Sequence, residues 1–293
     1  MKRTLQVLTQ AALLCSATLS LAAQTAADPP AVLRIFREYI KEGKGSAHRN
    51  NENAFMLEAA VQKYPANIIG MTTVTGGSEA WFLEGHESFG AIEATLAAYD
   101  RPDARFNQLD ELDGEFRTAS RSFFAVYRPE ISFHGQELMQ NLPKARFVTI
   151  TLIHMRVGHE SDFDEIAKMA SDAMLKAMSD QPVVVYQVYS GLANGTFLLI
   201  EASPSLKAMD SIPERSQAMV KAMGDTGSKR FFKAMADGFV DSEAMVFALD
   251  PRMSYVSKEF AAADPSFWNP KPEETKAPAK PKSKAAAKTS AAK

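Results

Sequence analysis

The sequence predicts an α+β protein made of two tandem βαββαβ modules whose antiparallel sheets pack face to face. Three observations point there. The order strand, helix, strand, strand, helix, strand can be read twice along the chain, at an offset of about 115 residues. The closing segments of the two readings, FFAVYRPEISF from Phe123 and MVFALDPRMSY from Met245, align without a gap on Pro129 and Pro251. Finally, a four-stranded antiparallel sheet with both helices on one side leaves its other face bare, and a second copy in the same chain can cover it.

The chain divides into four parts: a signal peptide over 1–27, a first module over 28–142, a second over 143–260, and a Lys/Ala/Pro-rich tail over 261–293. Lys2 and Arg3 precede a largely apolar run from Leu5 to Ala23, with small residues at Ala22, Ala23, Ala26 and Ala27, which reads as an export signal. The expected location is periplasmic or extracellular. Cys15, the one cysteine, lies inside that signal, so the mature chain has no thiol for a disulfide or a metal. From Lys271 onward seven Lys face only Glu273 and Glu274 in a stretch without aromatic or β-branched aliphatic residues, too poor in apolar groups to fold. Setting aside Lys2, Arg3 and the tail leaves 24 basic and 33 acidic side chains, a balance that argues against nucleic acid as a partner of the body. The tail is a candidate contact for anionic envelope polymer.

In the first module LRIFREYIK (from Leu33) is strand-like and runs into Gly43, which punctuates a strand-to-helix turn. Phe55, Leu57, Ala60 and Val61 place a helix over 53–64. NIIGMTTVT turns through Gly76-Gly77 into EAWFLE, a hairpin, and a second helical region begins at Ser88. The second module repeats the plan. FVTITLIHMR (from Phe147) runs into Gly158; Asp162 and Glu165 mark a helix start before Phe163, Ile166, Ala170 and Met174. VVVYQVY turns through Gly191 to Gly195 into a strand from Thr196, and the last helical region begins at Ser205. Each proline of the closing segments removes an amide donor, so the residues after it are expected to leave the sheet and lie over its edge.

The run MRVGHESDFDEIAK from Met155 resembles the dimeric α+β barrel superfamily, whose modules are ferredoxin-like, and within it the NIPSNAP-like and antibiotic-biosynthesis-monooxygenase-like branches. The first half departs from it, with KEGKGSAHRN at Lys41 and no acidic helix start. The resemblance implies a pseudo-dimeric barrel in one polypeptide and a ligand held between sheet faces and helices. It fixes little chemistry, since fold does not imply function. DELDG at Asp110 lacks the first Gly of the run shared by dye-decolourising peroxidases, so no haem is expected.

Five histidines, His48, His86, His134, His154 and His159, show no metal-ligand spacing, so no metal or other cofactor is expected; a metal site would need unrelated segments to converge. His154, on a strand in an apolar row, is the catalytic candidate, either a cavity base or a core histidine. Arg37 and Tyr39 share one face of the first strand, where they either hold an anionic or phenolic ligand or enter an internal Arg–Glu pair. Trp81, Glu84 and His86 on the third strand, and Tyr186 in the other module, complete the candidate lining of an inter-sheet cavity; aromatic residues there are equally read as core.

The leading expectation is an exported small-molecule-binding or structural protein, its ligand small and aromatic or anionic, its state monomer or homodimer. A cofactor-independent oxygenase or isomerase acting on a small aromatic molecule is the alternative, and an envelope-associated protein acting through its tail the third.

Overall fold

A computed structural model describes residues 28–99 and 104–270; residues 1–27, expected as a signal peptide, the residues from 271 onward and the charges counted in them lie outside. In chain order the elements are β1 (Val32–Ile40), α1 (Gly45–Gln62), β2 (Ile68–Thr73), β3 (Glu79–His86), α2 (Phe89–Tyr99), α3 (Ala104–Asp113), β4 (Arg117–Tyr127), α4 (Gly135–Asn141), β5 (Phe147–Met155), α5 (Glu160–Lys176), β6 (Val184–Ser190), β7 (Thr196–Ser203), α6 (Ile212–Gly238), β8 (Phe239–Leu249), α7 (Lys258–Ala262) and α8 (Pro265–Trp268).

The eight strands form a closed antiparallel barrel in the order β1-β3-β2-β8-β5-β7-β6-β4. β1 lies between β3 and β4, and β5 between β7 and β8, so each half of the chain arranges its four strands alike. The expected antiparallel barrel is present, and it is closed by edge pairing that the face-to-face expectation did not include. The halves join edge to edge at two seams, β2 with β8 (Met71 opposite Leu249) and β4 with β6 (Ala125 opposite Val188). An open edge leaves amides and carbonyls unpaired, and closure satisfies them.

Alternation along the strands separates an inner face from an outer one. Leu33 and Ile35 of β1, Val148 and Ile150 of β5, and Phe247 of β8 point inward, where Trp81 meets Phe123 edge-on at 5.9 Å and Phe247 at 5.2 Å. The outer face carries α1 and α3 over the first half and α5 and α6 over the second. α6 contains a break at Gly224, whose φ of 69° is outside the helical region.

The closing strands start about six residues before the apolar runs that suggested them and stop at the prolines: Pro129 and Pro251 each open a short 3-10 turn. The turn after Pro251 lies over β2 so closely that a Cβ on Gly70 would sit 2.0 Å from the Met253 carbonyl oxygen. The body also does not end at 260. α7 and α8 pack against the core, and the Trp268 indole donates to the Pro143 carbonyl at 2.6 Å. Residues 261–270 lack the long apolar pattern of a helix, yet Ala261, Phe267 and Trp268 dock them on the core. Among the described residues, no helix is long and apolar enough to cross a membrane.

Candidate functional site

The inter-sheet space expected to hold a ligand is filled. Trp81, Tyr186, Phe247, Met71, Leu198 and Ile150 are all buried in it. What remains there is an apolar cavity of about 140 Å³ at one end, lined by Leu33, Met71, Leu138, Tyr186 and Phe260 among others. Arg37 does point inward, but to an internal partner: its guanidinium makes a paired contact with Glu79 at 2.7 and 2.8 Å and lies 5.0 Å from the Tyr39 ring and 5.1 Å from Trp81. The Trp81 indole donates to the same Glu79. Burial works against the Arg37 charge, but Glu79 outweighs it and holds the guanidinium pKa above its ordinary value. Tyr186 is capped by the Pro30 carbonyl at 2.9 Å, and burial raises its phenol pKa.

His154 stands apart from the other candidates, at the end of β5, 3.8 Å from the exposed Asp241. Glu84 and His86, in contrast, alternate onto the outer face of β3. They are in contact at 2.5 Å, and Glu84 also accepts from the Tyr64 hydroxyl at 3.0 Å. Arg34 reaches toward the same carboxylate and lies over the Phe36 ring.

Of these, Arg34, Phe36, Tyr64 and Glu84 border a hollow of about 210 Å³ between β1 and β3 on one side and α1 and α3 on the other. Phe36, Met56, Ile68 and Phe82 give it an apolar floor. Arg34, Tyr64 and Glu84 stand on its wall, and Glu38, Glu52, Asp113 and Arg117 also line it.

That second group is joined by His48 in a concentration of buried ionisable side chains. Glu38 comes from β1, His48 and Glu52 from successive turns of α1, Asp113 from the last residue of α3, and Arg117 from the first residue of β4. His48 Nε2 lies 2.8 Å from Glu38, 3.5 Å from Asp113 and 3.9 Å from Glu52. The four ligand atoms are within 4.8 Å of one another and all four residues are buried. Arg117 grips the far oxygens, 2.6 Å from Glu38 Oε1 and 3.0 Å from Asp113 Oδ2, and touches the exposed Asp110. Asp113 Oδ1, facing His48, is buried without a hydrogen-bond donor.

Electrostatics follow from this crowding. Burial, with repulsion from Glu38 and Asp113, drives the Glu52 carboxyl well above the ordinary range. Burial and Glu38 also raise Asp113, against the pull of His48 and Arg117. For Arg117, burial disfavours the charge, but Glu38 and Asp113 outweigh it and lift its pKa. Two acceptor carboxylates side by side need a positive species between them, either a proton or a cation.

The second half supplies a comparison inside the same chain. Counted from the left-handed glycines of the two strand–helix turns, Gly43 and Gly158, Glu38 falls on Ile153, His48 on Phe163 and Glu52 on Ala167. Ile40 pairs with Arg117 where Met155 pairs with Phe239, so Arg117 falls on Phe239 and Asp113 on Met235. All five counterparts belong to one apolar cluster under α5 and α6. The position is filled by hydrocarbon in one half and by five ionisable groups in the other.

Sequence reading missed this set because it started α1 at Asn53. The helix begins at Gly45, eight residues earlier, which puts His48 and Glu52 four apart on one buried face. The available signal was the i, i+4 spacing of His48 and Glu52 in a segment set aside for its polarity. The segments whose convergence a metal site would require do converge here.

No family model matches the chain, and no curated protein matches it. Solved structures of similar form include a putative monooxygenase from Lactobacillus acidophilus NCFM, 11% identical with a TM-score of 0.46, covering 76% of this chain and 94% of that one. A mutant chlorite dismutase from Candidatus Nitrospira defluvii is 10% identical, TM-score 0.47, over 82% and 98%. A novel heme-binding protein from Thermus thermophilus is 15% identical, TM-score 0.42, over 81% and 95%. At these values the site has to be read from the residues of this chain alone.

Proposed function

We propose that this is an exported small-molecule-binding protein of the dimeric α+β barrel type, NIPSNAP-like or antibiotic-biosynthesis-monooxygenase-like in style, built by tandem duplication of a ferredoxin-like unit. Its ligand lies in the hollow under α1 and α3, not between the sheets. The matched strand order of the halves and the shared glycine turns support the duplication. One observation carries the binding reading: a hollow of about 210 Å³ with an aromatic and aliphatic floor and charged groups along its walls. Apolar walls with a few placed polar groups are what small-molecule sites share. At about 30 Å³ per water the hollow equals roughly seven waters, room for a single-ring molecule with polar substituents.

The test is a thermal-shift and calorimetric screen of the mature chain against phenols, aromatic acids and aromatic amines, run beside Ala59→Phe, which fills the hollow. At least one compound is expected to stabilise the parent and not the variant. A panel without effect, or with equal effect on both, overturns the assignment. Recovery of the protein from the periplasmic fraction or medium, cleaved before Asp28, tests export. Salt-sensitive adhesion to anionic polymer, lost on truncation after Asn269, tests the tail.

A second reading has its own observation. Tyr64 and Glu84 on the hollow wall, with the buried His86 behind Glu84, form a hydrogen-bonded relay, an acid–base set suited to a cofactor-independent oxygenase or isomerase. Turnover of a bound phenol without added cofactor, abolished by Glu84→Gln and unaffected by His154→Ala, is what it requires; binding without turnover leaves the protein a binder.

A further inference from the structure

We propose that Glu38, His48, Glu52 and Asp113 form a binding site for one divalent transition-metal cation, of the Mn²⁺, Fe²⁺ or Zn²⁺ class. This goes beyond the small-molecule reading and does not depend on it.

Geometry is the first support. Separations of 2.8, 3.5 and 3.9 Å from His48 Nε2 to the three carboxylates bracket about 3.4 Å, the edge of a tetrahedron built on bonds of about 2.1 Å. One imidazole nitrogen carries at most one hydrogen and can satisfy one of those oxygens, not three. The second support is the buried Asp113 Oδ1, an acceptor aimed at the cluster with no donor. Arg117 binds the opposite oxygens of Glu38 and Asp113, leaving Oε2 and Oδ1 turned toward His48. Outer partners commonly fix metal-ligating carboxylates in this way.

Charge is the third support. A metal binds ionised carboxylates and a neutral imidazole, so in the bound state three carboxylates against one guanidinium leave two negative charges for a divalent cation to cancel. The apolar cluster at the same place in the second half means that the fold itself does not call for charge there. Three of the four ligands line the hollow, which gives an ion a route in. The donor set points to the metal class, because imidazole with carboxylates suits borderline transition ions better than Ca²⁺ or Mg²⁺.

The experiment uses the mature chain stripped with chelator and dialysed. Mn²⁺ is titrated while the aqueous Mn²⁺ resonance is followed, Zn²⁺ is titrated by calorimetry, and Ca²⁺ and Mg²⁺ serve as comparison ions. The expected result is one Mn²⁺ or Zn²⁺ per chain, with Ca²⁺ and Mg²⁺ at least about tenfold weaker. His48→Phe and Asp113→Met, which install the residue types of the second half, should each weaken binding about a hundredfold or more. Ala59→Phe should slow cation entry yet leave the equilibrium cation affinity unchanged while removing small-molecule binding, so the two readings fail separately. Less than stoichiometric binding by the parent, or unchanged affinity in both ligand variants, overturns the proposal and leaves protons as what closes the cluster.

Discussion

Removing Arg117 alone should cost more than removing the whole charged cluster. Arg117 makes ion pairs with Glu38, Asp113 and Asp110, but the Asp110 side chain is 71% exposed, so that contact contributes about 0–1 kcal/mol. The other two partners are 9% and 2% exposed, and breaking a buried pair by deleting one member typically costs about 3–5 kcal/mol, because the remaining charge is stranded. Arg117→Phe is therefore expected to lose about 3–5 kcal/mol. The fivefold variant E38I/H48F/E52A/D113M/R117F strands nothing, since it transplants the packing already used under α5 and α6. Replacing a buried charge group by well-packed apolar residues is neutral or stabilising by about 1–4 kcal/mol. Urea unfolding of chelator-treated protein measures both. A single variant within about 1 kcal/mol of the parent, or a fivefold variant less stable than the single one, would refute the reasoning.

Other expectations follow from single contacts. Burial raises the Glu201 carboxyl pKa, with Arg215 offsetting it only in part. Its contribution to stability is complete below the ordinary carboxyl range and is lost as pH rises through the raised value. Glu201→Gln should thus be more stable than the parent near about pH 8 and lose that margin toward about pH 4, as thermal unfolding across pH would register. Gly70→Ala places a Cβ 2.0 Å from a backbone oxygen of Met253, and a cost of at least about 3 kcal/mol or failure to fold is expected; a soluble variant of parental melting temperature would contradict the packing of that turn on β2. Trp268→Ala removes a buried ring and leaves the Pro143 carbonyl without its donor, a loss of about 3–5 kcal/mol in denaturant unfolding. No change there would return the end of the body to residue 260.

The repeated order of elements was legible because it rests on local chemistry. Apolar runs, left-handed glycines at 43 and 158, and prolines at 129 and 251 act within a few residues of themselves. Edge pairing was not legible. Whether two sheets stack or join depends on β2 meeting β8 and β4 meeting β6, contacts between residues far apart in sequence, and alternation along a strand does not name its neighbour. The candidate site divides in the same way. Trp81, Glu84 and Tyr186 were visible as strand residues, but which face each took required the register. Glu38, His48, Glu52, Asp113 and Arg117 carry no motif as a set, because five positions from four elements become neighbours only when α1 and α3 lie down on β1 and β4. By itself the sequence determined the eight strands and the principal helices in outline, that this order occurs twice, and the charge contrast between body and tail. Tertiary structure alone decided that the barrel closes with a filled interior and that buried charge collects under the first pair of helices, since electrostatic and packing energies depend on distances that only the folded chain sets.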